Sequence, residues 1–172
     1  MNPMNKLSLK TILRGILLPL FLIVIDQLTK MLAVKYIKGK TASDVIPGIL
    51  GFSYVENRGM SFGLLQGQRV FFIIITVLIC LFMAWLYLRI PETKRFRPLS
   101  LCVLFIFSGA VGNFIDRVRQ GYVVDFLELR FMSFPVFNVA DCYISWTAVI
   151  LALLLLFYYK DEELKEIRLW RR

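Results

Sequence analysis

The sequence contains no histidine. That absence excludes a Ser-His-Asp or Cys-His relay and an HExxH zinc helix, because each needs imidazole as base or ligand. A general base in this chain must be a carboxylate, a lysine or a thiolate. Cysteine is scarce too: Cys80, Cys102 and Cys142 lie far apart with no CxxC pair. Neither a disulfide framework nor a tetrahedral metal site is expected from them, and they read as small apolar residues. Charge is thin. Only 19% of the 172 residues are charged and 58% are hydrophobic, against about 25% and roughly 45–50% in a typical soluble domain.

What charge there is leans one way, with 21 Lys and Arg against 12 Asp and Glu and a formal net charge of +9. A nucleic-acid partner would want those cations gathered on one soluble face. Here they stand between apolar runs, where membrane topology accounts for them and nucleic acid does not. No metal or cofactor is expected either.

Four segments are apolar enough to cross a bilayer, which takes about 20 helical residues: approximately 12–34, 70–88, 99–115 and 140–159. The first is interrupted by Asp26 and Lys30, the second has Thr76 as its one clearly polar member, and the third is apolar until Gly112-Asn113. Residues 1–172 thus read as one α-helical membrane domain. Lys6, Lys10 and Arg14 precede the first apolar run without a small-x-small cleavage site after it, the pattern of a retained signal anchor. Cations also crowd the 89–98 connection and the tail after Lys160, and thin out in the long connections 35–69 and 116–139. The positive-inside rule then places both termini in the cytoplasm and both long connections outside.

Those outer connections carry structure of their own. Partly alternating apolar residues from Val45 to Val55, near Pro47, Gly48 and Gly51, predict short twisted strands, and Asp125 to Phe134 predicts another after the Gln120-Gly121 turn. Phe62, Leu64, Leu65, Val70 and Phe71 read as interfacial, and Trp170 among tail arginines suits headgroups.

This topology brings four aspartates to one membrane face: Asp26, Asp116, Asp125 and Asp141. Ionisable groups at that depth are costly, so such a cluster marks a functional site unless ion pairs account for it. Asp26 and Lys30 stand i, i+4, acid before base, a good structural pair as well as a chemical candidate. Asn113, Asp116 and Arg117 share a helix face, and Arg117 is the expected partner of Asp116. Asp125 and Asp141 have no cation at helical spacing. Asp125 lies between Tyr122-Val123-Val124 and Phe126-Leu127, an apolar setting that raises a carboxyl pKa. Asn138 reads as a helix N-cap with Asp141 at the third helical position, so capping alone is one reading of Asp141. Catalysis is the other. Two neighbouring carboxylates share one proton, so one can deprotonate water while the other protonates a leaving amine, hydrolysing an amide without metal or histidine.

Five blocks carry a resemblance over nearly the whole chain. They are Asp26-Gln27-Leu28-Thr29-Lys30, Glu56-Asn57-Arg58-Gly59-Met60-Ser61-Phe62-Gly63, Gly109-Ala110-Val111-Gly112-Asn113-Phe114-Ile115-Asp116-Arg117, Gly121-Tyr122-Val123-Val124-Asp125-Phe126 and Phe134-Pro135-Val136-Phe137-Asn138-Val139-Ala140-Asp141. In this order the chain resembles the lipoprotein signal peptidases (signal peptidase II), bacterial membrane proteases that remove signal peptides from prolipoproteins. The resemblance implies that Asp125 and Asp141 are the catalytic pair. It further implies support for dyad and substrate from Asn57, Gly59, Asn113, Arg117 and Asn138, with Asp26, Lys30 and Asp116 bracing the helices. A small outer sheet and an interfacial helix cradling the substrate are implied as well. The substrate would be a diacylglyceryl-modified prolipoprotein cut just before its lipidated cysteine, by a monomer in the bacterial inner membrane with its site on the extracytoplasmic side. Met60-Ser61, Ser108 and Cys142 depart from the usual pattern and bear on fine substrate or inhibitor preference.

The alternative reading of the clustered acids is a small proton- or cation-coupled carrier. A carrier wants charges spread through the bilayer depth, whereas here the second span has none and the acids stop at one face.

Overall fold

A computed structural model describes residues 8–59, 68–165 and 167. The segment Phe62–Leu65 and Trp170, expected at the interface, lie outside them. Helix α1 (Leu9–Tyr36) begins at Ser8, whose hydroxyl accepts a hydrogen bond from the Thr11 backbone N–H. It runs unbroken through Pro19. Strands β1 (Ser43–Ile46) and β2 (Leu50–Asn57) form a hairpin in which Gly48 takes a φ of 70°. Helix α2 (Arg69–Arg89) follows. Helix α3 (Arg97–Gln120) carries Pro98 in its first turn, where no backbone donor is lost. It ends on Gly121 at φ 83°, a left-handed cap that costs glycine little. Strand β3 (Val123–Leu129), helix α4 (Val139–Leu153), a π turn over Leu154–Tyr158 and the one-turn α5 (Asp161–Leu164) complete the chain.

Four helical stretches of 28, 21, 24 and 20 residues are long and apolar enough to span a membrane, the last combining α4 with its π turn. Their flanks leave Ile16, Phe21, Leu81, Trp146 and Phe157 more than half exposed. Such a belt is tolerable against hydrocarbon and an aggregation hazard in water. The first three spans expected from hydropathy sit inside these helices, and the fourth, 140–159, overruns its helical stretch by Tyr159, which is extended. The third extends furthest beyond its expected end, because Asn113, Asp116 and Arg117 continue the helix and find partners across the bundle (below).

Strand β3 starts at Val123 and ends at Leu129, not at Asp125 and Phe134 as the alternation implied. The β-branched pair Val123-Val124 extends the chain immediately after the Gly121 cap, and residues 130–133 turn away. The sheet has the order β1-β2-β3, antiparallel throughout, with Val55 opposite Asp125 and Asn57 opposite Val123. Val124 and Phe126 on one face of β3 pack on Ala33 of α1. Val123 and Asp125 alternate to the other face. At the far end of the bundle Tyr87, Phe96, Leu99, Val103 and Tyr159 form a separate apolar core.

One short pairing positions the site. Phe137 exchanges backbone hydrogen bonds with Leu127 at 2.8 and 2.9 Å. The segment entering α4 is thereby held against β3, and Asn138 stands beside Asp125.

Candidate active site

Asn138 joins the two aspartates that the sequence singled out. Its Nδ2 donates to Asp125 Oδ1 at 2.6 Å and to Asn113 Oδ1 at 3.2 Å, while its Oδ1 accepts the Asp141 backbone N–H at 3.0 Å. The Asp141 carboxylate returns the contact, Oδ2 accepting the Asn138 N–H at 3.1 Å, and this closes a capping box. Asp141 therefore caps α4, as one reading held, without spending its second oxygen there. Oδ1 faces Asn113, which donates to it from Nδ2 at 2.8 Å. The second oxygen of Asp125 accepts from Asn57 Nδ2 at 3.0 Å. All four carboxylate oxygens accept one amide or backbone N–H each, and among the described residues no ion pair engages either group.

The amide orientations follow from their other partners. Asn57 Oδ1 accepts the Gly59 N–H at 3.0 Å, which turns Nδ2 toward Asp125. Asn113 Oδ1 accepts Lys30 Nζ at 2.8 Å, which turns Nδ2 toward Asp141. Lysine can only donate, so this second orientation is obligatory.

Asp125 is 1% exposed and Asn138 fully buried. Burial is the main cause that pushes the Asp125 carboxyl from about 3.8 up to about 7, and the nearby Asp141 charge adds to it. Hydrogen bonds from Asn57 and Asn138 oppose the rise. A carboxyl of this kind holds its proton near neutrality, as a general acid requires.

Behind the pair lies a compact charge cluster. Lys30 Nζ is 3.0 Å from both Asp26 Oδ2 and Asp116 Oδ2, with Lys30 and Asp26 almost wholly buried. The i, i+4 pair thus forms as expected, but it has a third member from α3. Asp26 Oδ1 accepts the Ala140 N–H at 3.0 Å, so a carboxylate of α1 also satisfies the first turn of α4. Asp116 Oδ2 accepts the Val124 N–H at 3.2 Å, tying α3 to β3.

Arg117 corrects the sequence reading. Its expected partner, Asp116, is taken by Lys30. Arg117 instead reaches the other way, donating to the Gly59 carbonyl at 3.4 Å and lying 5.0 Å over the Phe72 ring. Residues 116 and 117 are adjacent on the helix and diverge by about 100°, so a buried lysine on one side leaves the arginine to the other. Gln27 joins this cluster as well, a role its local sequence does not assign. Its Nε2 donates to Asp116 Oδ1, the Gly112 carbonyl and Asp26 Oδ2 at 3.1–3.2 Å. A polar amide between two ionisable residues of an apolar span was the available signal. Two glycines permit this closeness. A Cβ on Gly112 would stand 2.5 Å from Asp26 Oδ2, and one on Gly109 2.6 Å from the Ala140 carbonyl.

The family described as Signal peptidase (SPase) II matches residues 18–157. A lipoprotein signal peptidase from Caldanaerobacter subterraneus subsp. tengcongensis is 43% identical over 144 residues, 83% of this chain and 96% of that protein. One from Streptococcus pyogenes serotype M2 is 38% identical, covering 84% and 91%. A bacterial membrane enzyme solved by the in meso method superposes with a TM-score of 0.76 at 31% identity, over 86% of this chain and 92% of that one. With the match running through all four long helices and the sheet, the chain belongs to the signal peptidase II family, membrane-bound proteases that process lipoproteins.

Proposed function

We propose that this protein is an aspartic endopeptidase of the bacterial inner membrane, a single membrane domain that cleaves diacylglyceryl-modified prolipoproteins just before the lipidated cysteine. Asp125 and Asp141 form the catalytic dyad. The observation that supports this reading is the arrangement around Asn138: two carboxylates from separate stretches, each oxygen held by a neutral amide or backbone donor, with no ion pair to either among the described residues.

The dyad works with one shared proton. Its ionised member takes a proton from water as that water attacks the scissile carbonyl carbon. The protonated member hydrogen-bonds the carbonyl oxygen. As the tetrahedral intermediate collapses, the C–N bond breaks and the nitrogen leaves with a proton from the dyad. The high pKa of Asp125 favours it as the proton holder at neutral pH, although the titration belongs to the pair. Asn57, Asn113 and Asn138 hold the carboxylates in register, and Lys30, Asp26 and Asp116 brace the helices that carry them. Gly59 and Arg117 fix the strand exit beside the dyad, where substrate would enter.

The clustered cations support an orientation with both termini in the cytoplasm and the sheet outside. A lipid-anchored substrate then presents its scissile bond near the outer headgroups, at the depth of the dyad. The protein works as a monomer. The test is cleavage of a diacylglyceryl-modified precursor by the purified protein. Cleavage should fall before the modified cysteine and be unaffected by EDTA. Equal cleavage of the unmodified precursor, or activity lost to EDTA and restored by metal, would overturn this reading.

A further inference from the structure

The end of the bundle away from the dyad holds a composite cavity that the proposed reaction does not use. The start of α1, the end of α2 and the connection into α3 enclose about 210 Å³ lined by Lys10, Arg14, Glu92, Lys94 and Arg97. Four cations face one acid there, and Glu92 Oε1 already accepts the Ser8 N–H at 2.8 Å. No ion pair engages any of the four cations among the described residues.

A second cavity, of about 220 Å³, shares Thr11 and Tyr87 with the first and continues along α1 toward the middle of the bundle. It is apolar, lined by Ile12, Ile16, Met83, Leu88, Val103 and Phe107. Ile12, Ile16 and Leu88 are exposed, so this slot opens sideways between α1 and α2, where acyl chains of a bilayer lie. Its wall is built and not incidental. A Cβ on Gly15 would stand 2.8 Å from the Tyr87 ring, and the Tyr87 hydroxyl donates to the Thr11 carbonyl at 2.8 Å. From Thr11 to Ile16 the slot follows about 7 Å of helix.

We propose that these two cavities together bind one anionic glycerophospholipid, its phosphate among Arg14, Lys94 and Arg97 and one acyl chain in the slot. Charge decides the class of occupant. Glu92 offsets only part of this positive charge, through Arg14; a phosphodiester of net negative charge offsets the rest, whereas a zwitterionic headgroup brings a cation of its own into the same mouth. A signal peptide is a poor occupant, because its basic leading segment would meet like charge. The proposal depends on residence in a membrane and not on the dyad.

The experiment uses the full chain in a neutral detergent, with binding of phosphatidylglycerol and phosphatidylcholine measured by native mass spectrometry. Phosphatidylglycerol should bind at least tenfold more tightly. Arg14→Gln, Lys94→Gln and Arg97→Gln combined should bring the two lipids within twofold of each other, with precursor cleavage retained as evidence of folding. The single variants Lys94→Gln and Arg97→Gln, each expected to weaken phosphatidylglycerol severalfold, serve if the combination does not fold. Ala84→Leu, which fills the slot without touching charge, should weaken phosphatidylglycerol as well. Equal affinity for the two lipids, a preference unchanged in the charge variants, or glycerol 3-phosphate binding as tightly as phosphatidylglycerol would each overturn the proposal.

Discussion

Replacing Lys30 by Met removes the one cation shared by Asp26 and Asp116 while keeping most of the side-chain stem. Both carboxylates are buried, at 0% and 4% exposure, and each has its Oδ2 3.0 Å from Nζ. Breaking a buried pair by removing one partner costs about 3–5 kcal/mol, because the remaining charge loses its compensation and cannot reach water. For a chain of this size that corresponds to a fall of about 6–20 °C in melting temperature. Asn113 also loses the lysine that fixes its amide. With Asp141 then less firmly held, a drop in kcat of about tenfold to a hundredfold is expected. Thermal unfolding in detergent, followed beside precursor cleavage, reads both effects. The double variant Lys30→Met with Asp116→Asn removes one orphaned charge and should be more stable than Lys30→Met alone by about 1–3 kcal/mol. A Lys30→Met protein as stable as the parent would mean that the buried carboxylates do not depend on the lysine, and a double variant showing the full sum of the two single losses would mean that Lys30 and Asp116 are not coupled.

Other consequences follow from the same geometry. Asp125 keeps its proton to about pH 7 in the folded protein but loses it near 3.8 when unfolded, so stability should decline as pH rises through that interval and level off above it. The decline amounts to about 4 kcal/mol at most, and Asp125→Asn should flatten it in denaturant titrations at several pH values. Activity should show an alkaline limb near pH 7 in kcat/KM, where the pair loses its shared proton; a rate still climbing at pH 9 would contradict that assignment. Gly109→Ala forces its new methyl against the Ala140 carbonyl and Ile144, which should cost about 1–3 kcal/mol in unfolding measurements and displace the start of α4. A Lys40→Cys variant in intact cells should react with an impermeant thiol reagent from the extracytoplasmic side; labelling from the cytoplasmic side alone would reverse the proposed orientation.

Much of this site was legible in the chain because its signals are local. The apolar runs announced four long helices, the i, i+4 spacing announced Asp26 with Lys30, and Asn138 three residues before Asp141 announced a cap. Asp125 stood out by its apolar flanks. What escaped depends on which helix meets which. Nothing near Asp116 says that a lysine some 86 positions earlier will claim it and free Arg117 for Gly59. Gln27 joins α1 to α3 through two partners roughly 85–90 positions away, and Gly109 and Gly112 reveal their purpose only once α1 and α4 press against α3. The limits of β3 were likewise set by pairing with β2 and with Phe137, which alternation alone does not encode. Local rules found the aspartates, and tertiary contacts decided their company.

We assign the hydrolysis to Asp125 and Asp141 acting together, as proposed above. The most direct test of this assignment is single-turnover cleavage of a diacylglyceryl-modified precursor by the purified full-length protein, beside Asp125→Asn and Asp141→Asn, with thermal unfolding verifying that both variants fold. The expected result is a loss of about 10³-fold or more in each, with no further loss when the two are combined, because residues that act as a unit are not additive. A folded Asn variant at either position that cleaves within tenfold of the parent rate would contradict the account.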